Sequence, residues 1–428
     1  MIRGFFIWLH RWAGLVMALF LVIVGLTGSL LAFRQEIDTW LNPQLYAVAP
    51  RDAPMLDPIE LRDKAAALYP DVPFDMVPLR LEPDRTVQFG FLPSKAAETP
   101  KEAWRQWSYL FLDPYTGEKR ATRRANDILR WEGEPLTSEN LMGFILRLHF
   151  ALAAPGDEAG RWGVIFLGIV AIVWTIDCFV AFYLTFPLRL RLKRDAAPSA
   201  KSWWSRWKPA WLIKLNAGAT RINFDIHRAF GLWTWAMLFI LAWSSVELNL
   251  ASEVYTPVMA LAFDMRDPPN DLPALAQPLE APALGWREAL VRGRALLAEA
   301  GARQGFTVLR EDQLVLNRAL GVYILEARGS GELGNSEVYA AFDANTGELK
   351  ALSGQRAESL GPFISRWLKG IHMAAVFGLP MQILIFIMGF VITALSITGV
   401  YIWWKKRRAR KFSKAHRGAV TAVEMVAE

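Results

Sequence analysis

Apolar side chains gather in four runs along the chain, each close to the roughly 20 residues that a helix needs to cross a bilayer. Polar and apolar residues are mixed over longer stretches between the first and second runs and between the third and fourth. This pattern predicts four membrane-spanning helices and two soluble segments. The predicted spans are Trp12–Phe33, Trp162–Phe186, Ala229–Leu250 and Met381–Trp404.

The composition supports a membrane protein with soluble parts. Of the 428 residues, 53% are hydrophobic and 19 are Trp, which is too apolar for an ordinary soluble protein of this length. The first apolar run begins like a signal peptide, but it is about twice the usual length and no clear A-x-A site follows it. We therefore expect this run to remain as an anchor.

The positive charge is concentrated after two of the four runs. The stretch "PLRLRLKRDAAPSAKSWWSRWKPAWLIK" after the second run holds eight Lys or Arg, and "KKRRARKFSKAHRG" after the fourth holds another eight. The positive-inside rule places both stretches and the N-terminus in the cytoplasm, and the soluble segments outside. The net charge of +7 is thus interpreted as an orientation signal, and no nucleic-acid partner is expected.

The two soluble segments resemble each other. In each, a helical stretch comes before strand-like runs, and "FLDPYTGEKRA" (111–121) matches "AFDANTGELKA" (341–351). The shared D-x-x-TGE predicts a tight turn, so each segment is expected to form a small α+β domain. The single cysteine, Cys178, lies in a predicted span, which excludes a disulfide within the chain.

This likeness belongs to a longer repeat. "FIWLHRWAGL" (6–15) and "FDIHRAFGL" (224–232) align at a constant offset. In this alignment His10 corresponds to His227, Arg11 to Arg228 and Gly14 to Gly231. We therefore predict an internally duplicated chain whose four spans form one bundle.

Four of the five histidines lie at membrane ends of helical segments. His10 and His227 begin the first and third spans, and His149 and His372 precede the second and fourth on the other side. The topology thus brings one histidine pair to each face. Two imidazoles from facing helices are the axial ligands of b-type haem, so two bis-histidine haems b are predicted.

Other residues near these histidines suit the same cofactor. Gly14 and Gly231 follow their histidines by one helical turn, where a missing side chain would let a flat ring approach. Arg11 and Arg228 are placed to meet haem propionates, as are Arg147 and Lys369 near the other pair.

Two alternatives to haem remain open from the residues alone. A single interfacial histidine is most often structural, and zinc or copper is a second possibility, although no carboxylate lies at ligand spacing from a histidine. Asp177 and Glu247 lie within spans, where carboxylates are candidates for proton relay or haem contact, and equally for a structural role.

These observations divide the chain into eight predicted regions. The domains at 34–140 and 251–360 alternate with spanning and cytoplasmic parts. The spanning and cytoplasmic parts are 1–33, the first span; 141–186, an interfacial helix and the second span; 187–224, a basic loop; 225–250, the third span; 361–404, an interfacial helix and the fourth span; and 405–428, a basic tail.

The order of these elements resembles the PepSY-associated transmembrane proteins. The motifs that carry the resemblance are "LHRxxGL", the "DxxTGE" module, "LH" before a Gly-rich span, and "ITG" at Ile397–Gly399. The resemblance implies a bacterial inner-membrane protein with two periplasmic PepSY domains, haem-binding histidines and reduction of ferric siderophores. It also supports His10, His149, His227 and His372 as haem ligands.

Taken together, the residues and the resemblance predict a ferric-siderophore reductase. Electrons would enter at the His10/His227 haem, pass to the His149/His372 haem and reduce a periplasmic ferric siderophore, which releases ferrous iron. Because no flavoprotein domain is fused to the spans, a separate cytoplasmic reductase or a membrane quinol is the expected donor. The alternatives are a non-enzymatic regulator whose outer domains bind a partner, and an importer of iron or siderophore.

Overall fold

The computed structural model describes residues 2–91, 108–129, 133–154, 157–187, 202–266, 272–330, 336–353 and 360–427. Within these ranges, four helices are long and apolar enough to cross a membrane, which confirms the predicted number of spans. They are Ile2–Leu31, Gly160–Thr185, Trp235–Met259 and Leu379–Arg410. Much of the first predicted basic loop, at 188–201, lies outside the described residues.

The described chain contains fourteen labelled helices and eight strands. The helices are α1 (Ile2–Leu31), α2 (Arg34–Leu41), α3 (Pro43–Tyr46), α4 (Pro58–Leu68), α5 (Ala125–Leu129), α6 (Leu141–Ala151), α7 (Asp157–Thr185), α8 (Trp203–Trp207), α9 (Ala219–Trp233), α10 (Trp235–Leu250), α11 (Thr256–Met259), α12 (Trp286–Gln304), α13 (Leu360–His372) and α14 (Leu379–Ala427). The strands are β1 (Met76–Pro78), β2 (Val87–Phe91), β3 (Ser108–Leu112), β4 (Lys119–Arg124), β5 (Val308–Asn317), β6 (Val322–Gly329), β7 (Ser336–Asp343) and β8 (Leu349–Ser353).

The chain folds into two compact units. The helical unit comprises Met1–Phe33, Ile145–Tyr255 and Trp367–Glu428, and the α+β unit comprises Arg34–Phe144 and Thr256–Arg366. The chain therefore leaves the helical unit after α1 and after α10, and returns to it each time. This arrangement agrees with the predicted combination of membrane helices and α+β parts.

Helices α1 and α14 cross closely in the helical unit. Ser29 Oγ donates a hydrogen bond to the Phe386 carbonyl at 2.8 Å, while a Cβ added at Gly25 would lie 2.7 Å from the Gly389 carbonyl oxygen. These contacts show that the two helices run antiparallel, and that two glycines permit the close backbone approach. This crossing therefore sets the positions of the side chains on α1 and α14 relative to one another.

Helices α7 and α10 form the second close pair of the bundle. A Cβ at Gly168 would meet Leu250 at 2.5 Å, and Trp235 Nε1 donates to the Cys178 carbonyl at 3.0 Å. An apolar core that includes Leu21, Leu241 and Met388 fills the space among the four long helices.

The third predicted span contains a break. Thr234 separates α9 from α10 with φ −108° and ψ 8°, and its Oγ1 donates to the Phe230 carbonyl at 2.7 Å. Such a side-chain bond to the preceding turn competes with helix hydrogen bonding and bends helices. His227 consequently lies on α9, a separate helix from α10.

The α+β unit contains two antiparallel sheets. One has the strand order β2-β3-β4, and the other has the order β1-β5-β6-β7-β8. Strand β1 comes from the first soluble segment but pairs with β5 of the second, through Met76 and Val315. Helix α12 packs on the five-stranded sheet, where Gly293 allows it to approach Leu325 and Phe342.

Both D-x-x-TGE segments form the predicted turns. Gly117 and Gly347 adopt φ of +72° and +71°, which is why glycine is needed there. Asp343 Oδ1 accepts from the backbone N–H groups of Asn345 at 2.9 Å and Thr346 at 3.0 Å. The N–H of Thr346 and, after it, that of Asn345 lower the pKa of the Asp343 carboxyl, because both stabilise its charged form.

The helix crossing gives the first prediction. Gly389→Leu should destabilise the protein by about 1–3 kcal/mol, because an added side chain overlaps Ser29 and the Gly25 carbonyl. SDS-induced unfolding in mixed micelles, followed by circular dichroism, measures the change. Gly4→Leu is the control, since a Cβ there meets no atom within 4 Å. Equal effects of the two substitutions would contradict the crossing.

Candidate functional site

His10 and His227 lie side by side at one end of the helical unit. Their ring centres are 6.1 Å apart and the ring planes are inclined by 54°. His10 is on α1 and His227 is on α9, so the fold brings together two residues that are far apart in sequence.

His149 and His372 form a second pair with nearly the same spacing. Their ring centres are 6.2 Å apart, with an angle of 72° between the planes. His149 is in the last turn of α6, three residues before Leu152 with φ 55°, and His372 ends α13, two residues before Ala374 with φ 53°. Non-glycine residues in this conformation are strained, and such strain is concentrated at functional sites.

The two pairs are far apart along the bundle. His10 is near the start of α1, whereas Thr27 and Gly28, near the end of the same helix, contact His149. The rise of an α-helix separates His10 from Gly28 by about 27 Å. The structure therefore has one histidine pair at each end of α1, as the sequence predicted.

Protein hydrogen bonds determine the tautomers of His149 and His372. The Nδ1 atom of His149 lies 3.0 Å from Thr27 Oγ1, and that of His372 lies 2.7 Å from Ser244 Oγ. Each hydroxyl already donates its hydrogen to a carbonyl one turn earlier, at 2.7 Å. The hydroxyl oxygens must therefore accept, so Nδ1 carries the proton in both rings.

The same reasoning applies to His10 and His227. His227 Nδ1 lies 3.0 Å from the Leu395 carbonyl and 3.1 Å from Thr398 Oγ1, while His10 Nδ1 lies 2.9 Å from Asp177 Oδ1. A carbonyl and a carboxylate accept hydrogen bonds, so Nδ1 carries a proton here too. In a neutral imidazole this leaves the Nε2 lone pair, the donor that a metal requires.

Two Thr-Gly pairs hold an imidazole against a helix backbone. A Cβ added at Gly28 would lie 3.1 Å from His149 Cε1, and one added at Gly399 would lie 3.2 Å from His227 Cε1. The preceding residues, Thr27 and Thr398, supply the hydroxyls. From the sequence, "ITG" stood out only as a family motif, and Thr27, Gly28 and Ser244 were not predicted as site residues. The matching "LTG" at 26–28 was the available signal.

The predicted glycines Gly14 and Gly231 adjoin open space. A Cβ added at either position would meet no atom within 4 Å. All four imidazoles are only half-buried, and the His10 side chain retains 30% exposure. Within the described residues, the imidazole rings and these two glycines are therefore not surrounded by protein atoms on all sides.

The predicted basic residues differ in their contacts. Arg228 donates to Asp225 Oδ1 at 2.9 Å and also to the Pro209 carbonyl at 2.5 Å, whereas Arg11 has no hydrogen bond or ion pair within the described ranges. Near the second pair, Arg147 donates to the Ala154 carbonyl at 3.1 Å.

Glu247, the second span carboxylate singled out in the sequence, forms no hydrogen bond or ion pair with a histidine among the described residues. Its Oε1 lies 3.1 Å from Lys369 Nζ, and its buried Oε2 has no hydrogen-bond partner among the described residues. Asp177 and Glu247 therefore differ: the first contacts an imidazole and the second an ammonium.

The geometry of both histidine pairs fits a metalloporphyrin. Two imidazoles bound to opposite sides of one metal ion through bonds of about 2 Å have ring centres about 6 Å apart. Among the described residues, no group of three or more His, Cys, Asp or Glu is placed to hold a metal ion. Each pair thus offers two nitrogen ligands, which suits a metal whose other ligands come from a macrocycle.

Comparison with known proteins identifies the family. A family model described as "PepSY-associated TM region" matches residues 7–406, a range that includes all four paired histidines. The chain belongs to this family of membrane proteins. A search of curated proteins found no match.

The open space beside Gly14 generates the second prediction. If a flat cofactor fills this space, Gly14→Leu should prevent one of two haems from binding when the purified protein is titrated with haemin. Gly4→Leu, on the same helix and equally free of protein contacts, should bind as much haemin as the unaltered chain. Equal uptake by all three proteins would show that Gly14 adjoins no cofactor.

Proposed function

We propose that this protein carries electrons across the membrane through two b-type haems. One would be held by His10 and His227, and the other by His149 and His372. The observation that supports this proposal most directly is that four imidazoles form two pairs at the spacing of axial ligands. Bound haem would supply a one-electron couple at each end of the bundle.

The chain's own residues would prepare these sites before any cofactor binds. Thr27, Ser244 and the Leu395 carbonyl hold their imidazoles in one tautomer, so Nε2 remains free for a metal. Gly28 and Gly399 keep two of the rings close to a helix. Such second contacts fix ring orientation and support metal affinity.

The membrane and its orientation are part of the proposal. The basic stretches after the second and fourth spans favour cytoplasmic N- and C-termini, with the His10/His227 site toward the cytoplasm and the His149/His372 site toward the periplasm. A bacterial inner membrane suits this arrangement. The donor would be a cytoplasmic reductase or a membrane quinol, and lipid would surround the spans.

Ferric siderophore is the proposed electron acceptor. Ferrous iron binds hard oxygen ligands more weakly than ferric iron does, so a one-electron reduction is enough to release the metal. This reaction needs no acid, base or nucleophile from the protein. In this proposal the α+β unit, with its two PepSY-like parts derived by duplication, serves substrate capture in the periplasm.

The third prediction tests haem content and pairing. Purified protein should contain about two b-type haems per chain with six-coordinate reduced spectra. His10→Ala should lose one haem and retain the other, because the second pair shares no histidine with the first. His149→Ala is the matched variant and should lose the other haem. An unaltered chain without haem, from cells supplied with it, would favour a membrane-anchored regulator.

The fourth prediction tests the acceptor. Protein reduced stoichiometrically with dithionite should be reoxidised by a ferric siderophore, and a ferrous chelator should capture about one iron per electron. His372→Ala should abolish this transfer. A matched gallium siderophore, which has a similar shape but no accessible one-electron reduction, should leave the protein reduced. Reoxidation by neither iron nor gallium complex would end the siderophore assignment.

A further inference from the structure

The group that accepts the Nδ1 hydrogen bond is charged for one of the four histidines and neutral for the other three. His149, His227 and His372 donate to neutral oxygens, namely hydroxyls and a backbone carbonyl. His10 donates to Asp177, whose two carboxylate oxygens lie at 2.9 and 3.0 Å from Nδ1. The pair at one end of the bundle thus has a carboxylate partner, and the pair at the other end has none.

Asp177 is well placed to act on His10. Its residue is only 8% exposed, and among the described residues its one ion pair is with His10. It lies on α7, beside Cys178 in the packed part of the helix. Little solvent is available to screen a negative charge at this position, so its effect on the adjacent ring is strong.

A carboxylate that accepts from Nδ1–H increases electron density on the imidazole and makes Nε2 a stronger donor. A stronger donor stabilises the more oxidised state of a bound metal, which lowers the reduction potential. Hydroxyl and carbonyl acceptors do this less because they carry no net charge. The two ends of the bundle should therefore differ in potential even with identical cofactors.

We propose that Asp177 is a positioning residue that acts through His10 to set the direction of electron transfer. It makes the His10/His227 site the lower-potential centre and leaves the His149/His372 site the higher-potential centre. The His10/His227 haem would be reduced by one electron from the donor and would then pass that electron to the His149/His372 haem, so that the first is reoxidised and the second is reduced by one electron. This transfer between the haems moves no proton and breaks no bond, while a quinol donor would release its own protons when it is oxidised. This inference rests on the proposed haem function.

Asp177→Asn separates charge from hydrogen bonding. The amide oxygen can still accept from His10 Nδ1–H, so both haems should remain bound while the negative charge is lost. Spectroelectrochemical titration of the unaltered protein should resolve two midpoint potentials. In the variant, the lower potential should rise toward the higher one, and the electron paramagnetic resonance signal of one haem should shift.

Two further substitutions make the test specific. Glu247→Gln removes a buried carboxylate of a different span, which forms an ion pair with Lys369, so the lower potential should stay unchanged. Ser244→Asp introduces a carboxylate beside His372 and should lower the higher potential. This reciprocal variant decides the matter even if Asp177→Asn fails to hold its haem.

The possible outcomes distinguish this inference from the proposed function. Unaltered protein without haem would overturn both. Two bound haems with equal potentials would overturn the inference alone. A lower potential that stays the same in Asp177→Asn would also overturn the inference alone. If that variant loses its haem, a higher potential that stays the same in Ser244→Asp would do so.

Discussion

The helical unit depends on one constraint, which is that an imidazole within a membrane bundle must have a partner for its ring nitrogen. An unsatisfied polar group there is costly, because no water is available to replace the missing hydrogen bond. In all four histidines the protein satisfies Nδ1 and no hydrogen bond is formed by Nε2 within the described residues. Because Nδ1 is hydrogen-bonded and Nε2 is not, each imidazole has one nitrogen that can bind a metal ion.

The close packing of α1 and α14 helps to meet this requirement. Each helix carries a Thr-Gly pair whose hydroxyl and bare backbone receive a histidine from another helix: Thr27 for His149 and Thr398 for His227. The position of each Thr-Gly pair relative to its histidine depends on the position of the helix that carries it. The contact of Gly25 with Gly389, where the two backbones approach closely, holds α1 and α14 in position relative to each other.

The two sites are therefore alike in design and different in charge. Both present paired imidazoles at about the same spacing, both use hydroxyl or carbonyl acceptors, and both retain half-buried rings. Only one includes a carboxylate. In the proposed electron path, the difference at Asp177 would give an otherwise symmetrical arrangement a direction.

The number of spans and the D-x-x-TGE turns could be predicted from the sequence, because apolar run length and turn chemistry are local properties. The histidine pairs could also be predicted, because the order of the spans brings one pair to each face of the membrane. The sequence did not reveal that Thr27, Ser244 and Thr398 receive the imidazoles, since this depends on which helix faces meet. Nor did it reveal that β1 pairs with β5, or that Asp177 contacts His10. These points became visible in the folded chain, because they depend on which helix and strand faces meet. In a bundle, packing at small residues sets those faces, and no local sequence pattern does.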